Sequence, residues 1–165
     1  MSLPRHYVLQ EAPEVSGYIY FINQGYAASY TYREGVKAIE WLWRQEEIIV
    51  SPRSFFECTA SVEFIELLTK SELLCIPHEG MMRLFNAFPE MESMYRSLIN
   101  RYYELSRERI REMQHLKSVE RYRKLLRSHR NIQQILPQDL IASYLGITPQ
   151  SLCRIKRNTR YAYEH

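Results

Sequence analysis

An α+β fold is predicted for this chain of 165 residues. An antiparallel β jelly roll comes first, a long connecting helix second and a helix-turn-helix last. Three observations predict it. Short β-patterned runs separated by turn residues fill positions 6–76, as in a sandwich or closed barrel. From His78 onward the apolar period becomes helical, with its longest unbroken stretch over about 90–114. Residues 136–157 read LPQDLIASYLGITPQSLCRIKR, two short helical patterns hinged on Gly146-Ile147-Thr148. The expected domains are 4–88 for the jelly roll, 89–116 for the connecting helix and 117–165 for the C-terminal unit.

The β region opens with a strand over 6–10, closed by a turn around Pro13 and Gly17. Met1-Ser2-Leu3 is read as a cloning remnant. A strand over 18–22 follows, Gly25 interrupts, and 26–32 alternates Ala28, Tyr30 and Tyr32 with Ser29 and Thr31. Arg33-Glu34-Gly35 is a hairpin loop. The return over 37–43 places Ile39, Trp41 and Trp43 on one side; 47–50 then enters a loop at Ser51-Pro52. Further strands fit 61–67 and 72–77. The chain has 13 tyrosines, many in these strands, as a half-buried pleated surface favours.

A short helix over 78–88 ends before Pro89, because the residue ahead of a proline avoids helical angles. In the long helix Met91, Met94, Leu98, Tyr102 and Leu105 form one apolar stripe at a spacing near 3.5, widened by Tyr95, Ile99, Ile110 and Met113. One side of such a helix covers the barrel and the other meets a partner helix. A break near Leu116-Lys117-Ser118 starts another helix over 119–127, with Tyr122, Leu125 and Leu126 inward. Residues 128–135 connect it to the last unit.

In that unit Leu140, Ile141, Tyr144 and Leu145 form one buried helical face. Gly146 suits a left-handed residue past a helix end, Thr148 a hydroxyl cap, and Pro149 a first helical position whose N–H needs no partner. Leu152 and Ile155 face inward, leaving Gln150, Ser151, Arg154 and Arg157 outside. Two helices on a tight glycine turn, the second polar and basic outside, describe a helix-turn-helix. The tail after Arg157 is too short for a two-stranded wing, although Tyr161-Ala162-Tyr163 fits one strand.

Composition bounds the alternatives. With 45% hydrophobic and 25% charged residues the chain is globular and soluble. It carries no signal peptide and no membrane-length apolar run. Cys58, Cys75 and Cys153 are odd in number and far apart, which favours a reducing cytoplasm over a disulfide framework, zinc or iron–sulfur. The net charge of +3 is uneven. Residues 1–100 hold 8 Lys/Arg against 13 Asp/Glu, a balance of −5, whereas 101–165 hold 14 against 6, a balance of +8. A basic end on an acidic body points to a polyanion. His6, His78, His115, His129 and His165 do not cluster, so a metal-dependent jelly-roll enzyme is disfavoured, as is a haem on His78. No G-x-S-x-G and no Cys–His arrangement marks a nucleophile, and no enzyme is expected.

This order of parts resembles bacterial transcription regulators of the cyclic AMP receptor protein (Crp/Fnr) family over nearly the whole chain. The residues that carry the likeness are Tyr20-Phe21-Ile22 with Gly25, the Gly35 hairpin, Pro89, Glu120-Arg121-Tyr122 and Ile141-Ala142-Ser143-Tyr144-Leu145-Gly146-Ile147-Thr148-Pro149. That last block, with Leu152 and Arg154-Ile155, looks like the short, wing-poor branch common in Bacteroidetes. The resemblance implies a cyclic-nucleotide-binding-like sensor domain, homodimerisation through the stripe of the long helix, and double-stranded DNA and RNA polymerase as partners. In a helix-turn-helix the second helix enters the major groove, which gives Gln150, Ser151 and Arg154 to base edges. Thr148 with the helix N-terminus would hold a phosphate, and Lys156, Arg157 and Arg160 add sequence-independent attraction.

The sequence departs from the family in three places. Cyclic-nucleotide binders carry a Gly-Glu pair and then an Arg before a small residue; by length Val50-Ser51 and Thr59-Ala60-Ser61 stand there instead. Ser51, Arg53, Thr59 and Ser61 are therefore the candidate effector loop, Arg53 being a substitute cation. Cyclic AMP is disfavoured, because a buried cyclic phosphate needs a charge-assisted partner. The family's N-terminal helix is missing or trimmed, and no cysteine cluster is present. No cofactor is expected and the effector stays open. A competing expectation is a degenerate signalling or protein-interaction module of this fold that does not read DNA.

Overall fold

In a computed structural model the backbone of residues 1–161 and the side chains of residues 1–158 are described. Eight strands and seven helices follow in order: β1 (Ser2–Leu3), β2 (Val8–Gln10), β3 (Tyr18–Gln24), β4 (Tyr26–Arg33), β5 (Val36–Arg44), β6 (Ile48–Ile49), α1 (Pro52–Glu57), β7 (Phe64–Leu67), β8 (Ser71–Pro77), α2 (His78–Ala87), α3 (Glu90–His115), α4 (Ser118–Ser128), α5 (Ile132–Ile135), α6 (Gln138–Leu145) and α7 (Pro149–Tyr161). The strands form two antiparallel sheets, ordered β1-β8-β3-β6 and β2-β7-β4-β5. Both contribute to one apolar core, where Ile22, Ile49 and Leu73 of the first meet Ala27, Trp43, Ile65 and Leu67 of the second.

Several details differ from the sequence-based expectation. Ser2–Leu3, for which no strand is expected, form the edge strand β1, and the Met1 N donates to Leu73 O at 2.7 Å. Ile39 does not share a side with Trp41 and Trp43. Ser29 pairs with Trp41 and Tyr30 with Ile39, so Glu40 is an extra residue in β5. This bulge reverses the alternation. Ile39 and Leu42 therefore point out of the sheet-to-sheet core, while Trp41 and Trp43 point in. The expected loop at Ser51-Pro52 is the cap of a six-residue helix, α1, with Pro52 in its first turn. Within the expected connection over 128–135 lies the single turn α5.

The outer face of the β4–β5 hairpin is not solvated. Ala28, Tyr30, Ile39 and Leu42 share a core with Tyr122 and Leu125 of α4, Ile132 of α5, Ile141, Ala142 and Leu145 of α6, and Leu152 of α7. Polar contacts fix the docking. Ile39 N donates to Ser143 Oγ (3.2 Å), Arg5 to Ile135 O (3.0 Å), Arg44 to Ser128 O, and Tyr26 Oη to Arg130 O (3.3 Å). The C-terminal helices are thus seated on the second sheet, with their own core continuous with its outer face.

Candidate nucleic-acid interface

The geometry of the last two helices follows from a few residues. Gly146 ends α6 at φ 65°, ψ 39°, and its N–H bonds back to Ala142 O and Ser143 O. Ile147 N returns to Ala142 O at 3.0 Å, so the turn closes the end of α6 as a left-handed glycine allows. A Cβ at this position would lie 2.4 Å from Met113 Cε of α3, which brings the end of the long helix against the turn. On the far side Thr148 Oγ1 accepts Ser151 N–H at 3.2 Å and Leu152 N donates to Thr148 O at 3.1 Å. Thr148 is therefore the cap of α7 and Pro149 its first residue, as the sequence indicates.

One face of α7 is inside: Leu152 is fully buried and Ile155 packs against the same core. The opposite face carries Gln150, Cys153, Arg154 and Arg157, all exposed and spaced three or four apart. Arg154 and Arg157 have no carboxylate within salt-bridge reach among the described residues. Ser151 and Lys156 are half-buried at its edges, and Thr148 is exposed at its N-terminus. The side chain of Arg160 and the residues 162–163 of the expected last strand lie outside the described residues. Tyr161 itself lies in α7. Cys153, which spacing rules set aside, is on this face with its thiol 3.6 Å from Gln138 Oε1.

The supports of this unit were less visible in the sequence. Arg109 of α3 lies over the Tyr144 ring at 3.8 Å and donates to Tyr144 O at 2.7 Å. Arg121 of α4 donates to Leu145 O (3.2 Å) and Leu116 O (2.7 Å). Two guanidinium groups thus satisfy carbonyls at the C-terminus of α6, where the helix dipole favours positive charge. Lys124 joins Glu108 and Glu112 across the α3–α4 turn, and these hydrogen bonds raise its pKa. The turn consists of Leu116 and Lys117, both extended, with Lys117 N donating to Glu120 at 2.8 Å.

The candidate effector loop is less coherent. Ser51 is buried at the N-cap of α1, but Arg53 points outward to Glu57 (3.5 Å) with its side chain 82% exposed. Thr59 Oγ1 donates to Arg53 O, and Ser61 Oγ to Glu63 O. None of the four is among the walls of the cavity that opens beside them. This cavity, of about 220 Å³, lies between β4, β5 and α3, with Ser29, Trp41, Trp43, Glu63 and Tyr102 in its walls.

The expected dimerisation stripe divides. Met91, Leu98, Tyr102 and Leu105 are half-buried, and Tyr102 Oη donates to Ile48 O; Met94 is 63% exposed. Tyr103, Ile110 and Met113 are also exposed, and none of the 26 residues of α3 is fully buried.

No protein-family model and no characterised protein sequence matches the chain. Solved structures do match in fold. FixK2 from Bradyrhizobium japonicum aligns with TM-score 0.81 at 11% identity, over 98% of this chain and 84% of that one. A regulator of the Crp/Fnr family from Eubacterium rectale aligns at 0.79 and 14%, over 98% and 78%. CLP, a c-di-GMP responsive global regulator from Xanthomonas campestris, aligns at 0.73 and 12%, over 98% and 86%. At such identities the likeness establishes a shared fold.

Proposed function

We propose that this chain, which has the fold of Crp/Fnr regulators, is a DNA-binding transcription regulator. The two sheets are its jelly-roll sensor, α3 its dimerisation helix, and α6–α7 its helix-turn-helix. One observation carries the reading: α7 buries Leu152 on one side and presents Gln150, Arg154 and Arg157 on the other, exposed and without carboxylate partners among the described residues. Such a helix fits the major groove. Arg154 donates to guanine O6 and N7, Gln150 pairs with adenine, and Thr148 with the α7 N-terminus holds a phosphate. Arg157 and Lys156 contribute to phosphate attraction, Lys156 from a half-buried position.

Met94, Ile110 and Met113 leave apolar surface on a long helix with no fully buried residue, which supports pairing of two copies along α3. A two-fold pair places two α7 helices about 34 Å apart on a palindromic site. The sensor acts through the extended pair Leu116-Lys117, which separates α3 from the C-terminal helices. Arg53 pairs with Glu57 and does not line the cavity, which supports a reading without a cyclic phosphate. The test is selection of bound sequences from a random duplex pool. A palindromic motif with half-sites one helical turn apart supports the reading. No enrichment, with retained binding of protein partners, replaces it with an interaction module.

A further inference from the structure

The cavity beside α1 has an unusual set of walls. Trp41 and Tyr102 meet edge to face, ring centroids 6.2 Å apart and planes at 64°, and Trp43 supplies a third ring. Glu63 is the ionisable carboxyl in these walls, and no Lys, Arg or His lines the space among the described residues. Burial holds the Glu63 carboxyl above the usual carboxylate range, the nearby Ser51 and Ser29 hydroxyls oppose that only in part, and Glu40 acts in the same direction as burial. A carboxylate in such a place lacks a cation. The neighbouring cations are engaged elsewhere: Arg109 on Tyr144 and Arg53 on Glu57.

We propose that this cavity takes a small organic ammonium ion, its positive head held by Glu63 among the Trp41, Trp43 and Tyr102 rings. Aromatic rings attract a cation through their negative faces, and an adjacent carboxylate adds direct charge pairing. An anion would meet Glu63 with no compensating donor of positive charge, so the site selects the opposite polarity from a cyclic phosphate. About 220 Å³ accommodates a trimethylammonium head with a short tail. Because Tyr102 and Ser106 belong to α3, a bound cation touches the helix that leads to the C-terminal unit. This assignment rests on the reading of the sheets as a sensor.

The test compares choline with its uncharged isostere 3,3-dimethylbutan-1-ol on the full chain, by titration calorimetry. Tryptophan fluorescence gives a second readout, since the 2 tryptophans of the chain both line the cavity. Choline is expected to bind once per chain and roughly tenfold more tightly than the isostere. Glu63→Gln and, independently, Trp41→Leu should each weaken choline by about tenfold while unfolding cooperatively on heating. Equal binding of the isostere, binding of cyclic AMP in the same cavity, or no choline binding at millimolar concentration overturns the proposal. Duplex binding measured without choline separates the two readings. Choline binding without duplex binding sinks only the regulator; duplex binding without choline binding sinks only this site.

Discussion

Acidification should loosen the seam between the second sheet and the C-terminal helices through His129. This residue follows the last turn of α4, is 9% exposed, lies 6.2 Å from the Tyr26 ring, and has no hydrogen-bond partner at Nδ1 among the described residues. A helix C-terminus favours a protonated imidazole by about 0.3–1 kcal/mol. Burial and the Arg44 guanidinium outweigh that, lowering the pKa from 6.5 to about 4. The unfolded chain therefore binds a proton more readily than the folded one. Stability from this residue is complete above pH 6.5 and is lost as pH falls toward 4. At ~1.4 kcal/mol per unit the ceiling is about 3 kcal/mol, and residual solvent contact brings the expectation to roughly 1–2 kcal/mol. Urea unfolding of the parent and of His129→Gln through this window isolates the effect, since carboxylates titrating there are common to both. Parallel pH dependences for the two proteins would refute the reasoning.

Gly146→Ala should cost about 1–2 kcal/mol from its left-handed backbone; the 2.4 Å approach to Met113 Cε adds little, because the methyl end of this exposed side chain can swing aside. The cost should therefore be nearly the same in a Met113→Ala background; a total below ~0.5 kcal/mol by urea unfolding would contradict the turn geometry. Lys37→Met should cost roughly 2–4 kcal/mol, also by urea unfolding. Burial would raise the Glu66 carboxyl, but hydrogen bonds from Lys37 and His6 hold it below the usual range, so removal of Lys37 leaves a buried carboxyl with only the exposed His6 of this pair. A change no larger than that of an exposed lysine would show that His6 alone is sufficient support.

Much of this architecture was legible because its strongest signals are local. Pro89 and the unbroken period bound α3 to within a residue or two, and Gly146, Thr148 and Pro149 located the α6–α7 turn by their backbone chemistry alone. The short α1 was missed because six residues carry too little periodicity, although Ser51-Pro52 is a helix-start signal. The β5 bulge was invisible because Glu40 breaks alternation only once its partner strand is known. The docking of the C-terminal helices on the second sheet was not legible, because 26–32 reads as a half-buried alternating strand. Only the structure shows Ala27, Ala28, Ser29 and Tyr30 buried in succession, with cover on both faces. Glu63 and the paired tryptophans were adjacent to the suspected loop but converge only through sheet register and the placement of α3.

The most direct measurement is the affinity of the parent and of Arg154→Ala for a selected duplex and for a scrambled duplex of equal length and salt. If α7 reads bases through Arg154, the variant loses ~1–3 kcal/mol per half-site on the selected duplex and far less on the scrambled one. Equal losses on both, or none on either, would contradict the assignment of this exposed face to paired bases.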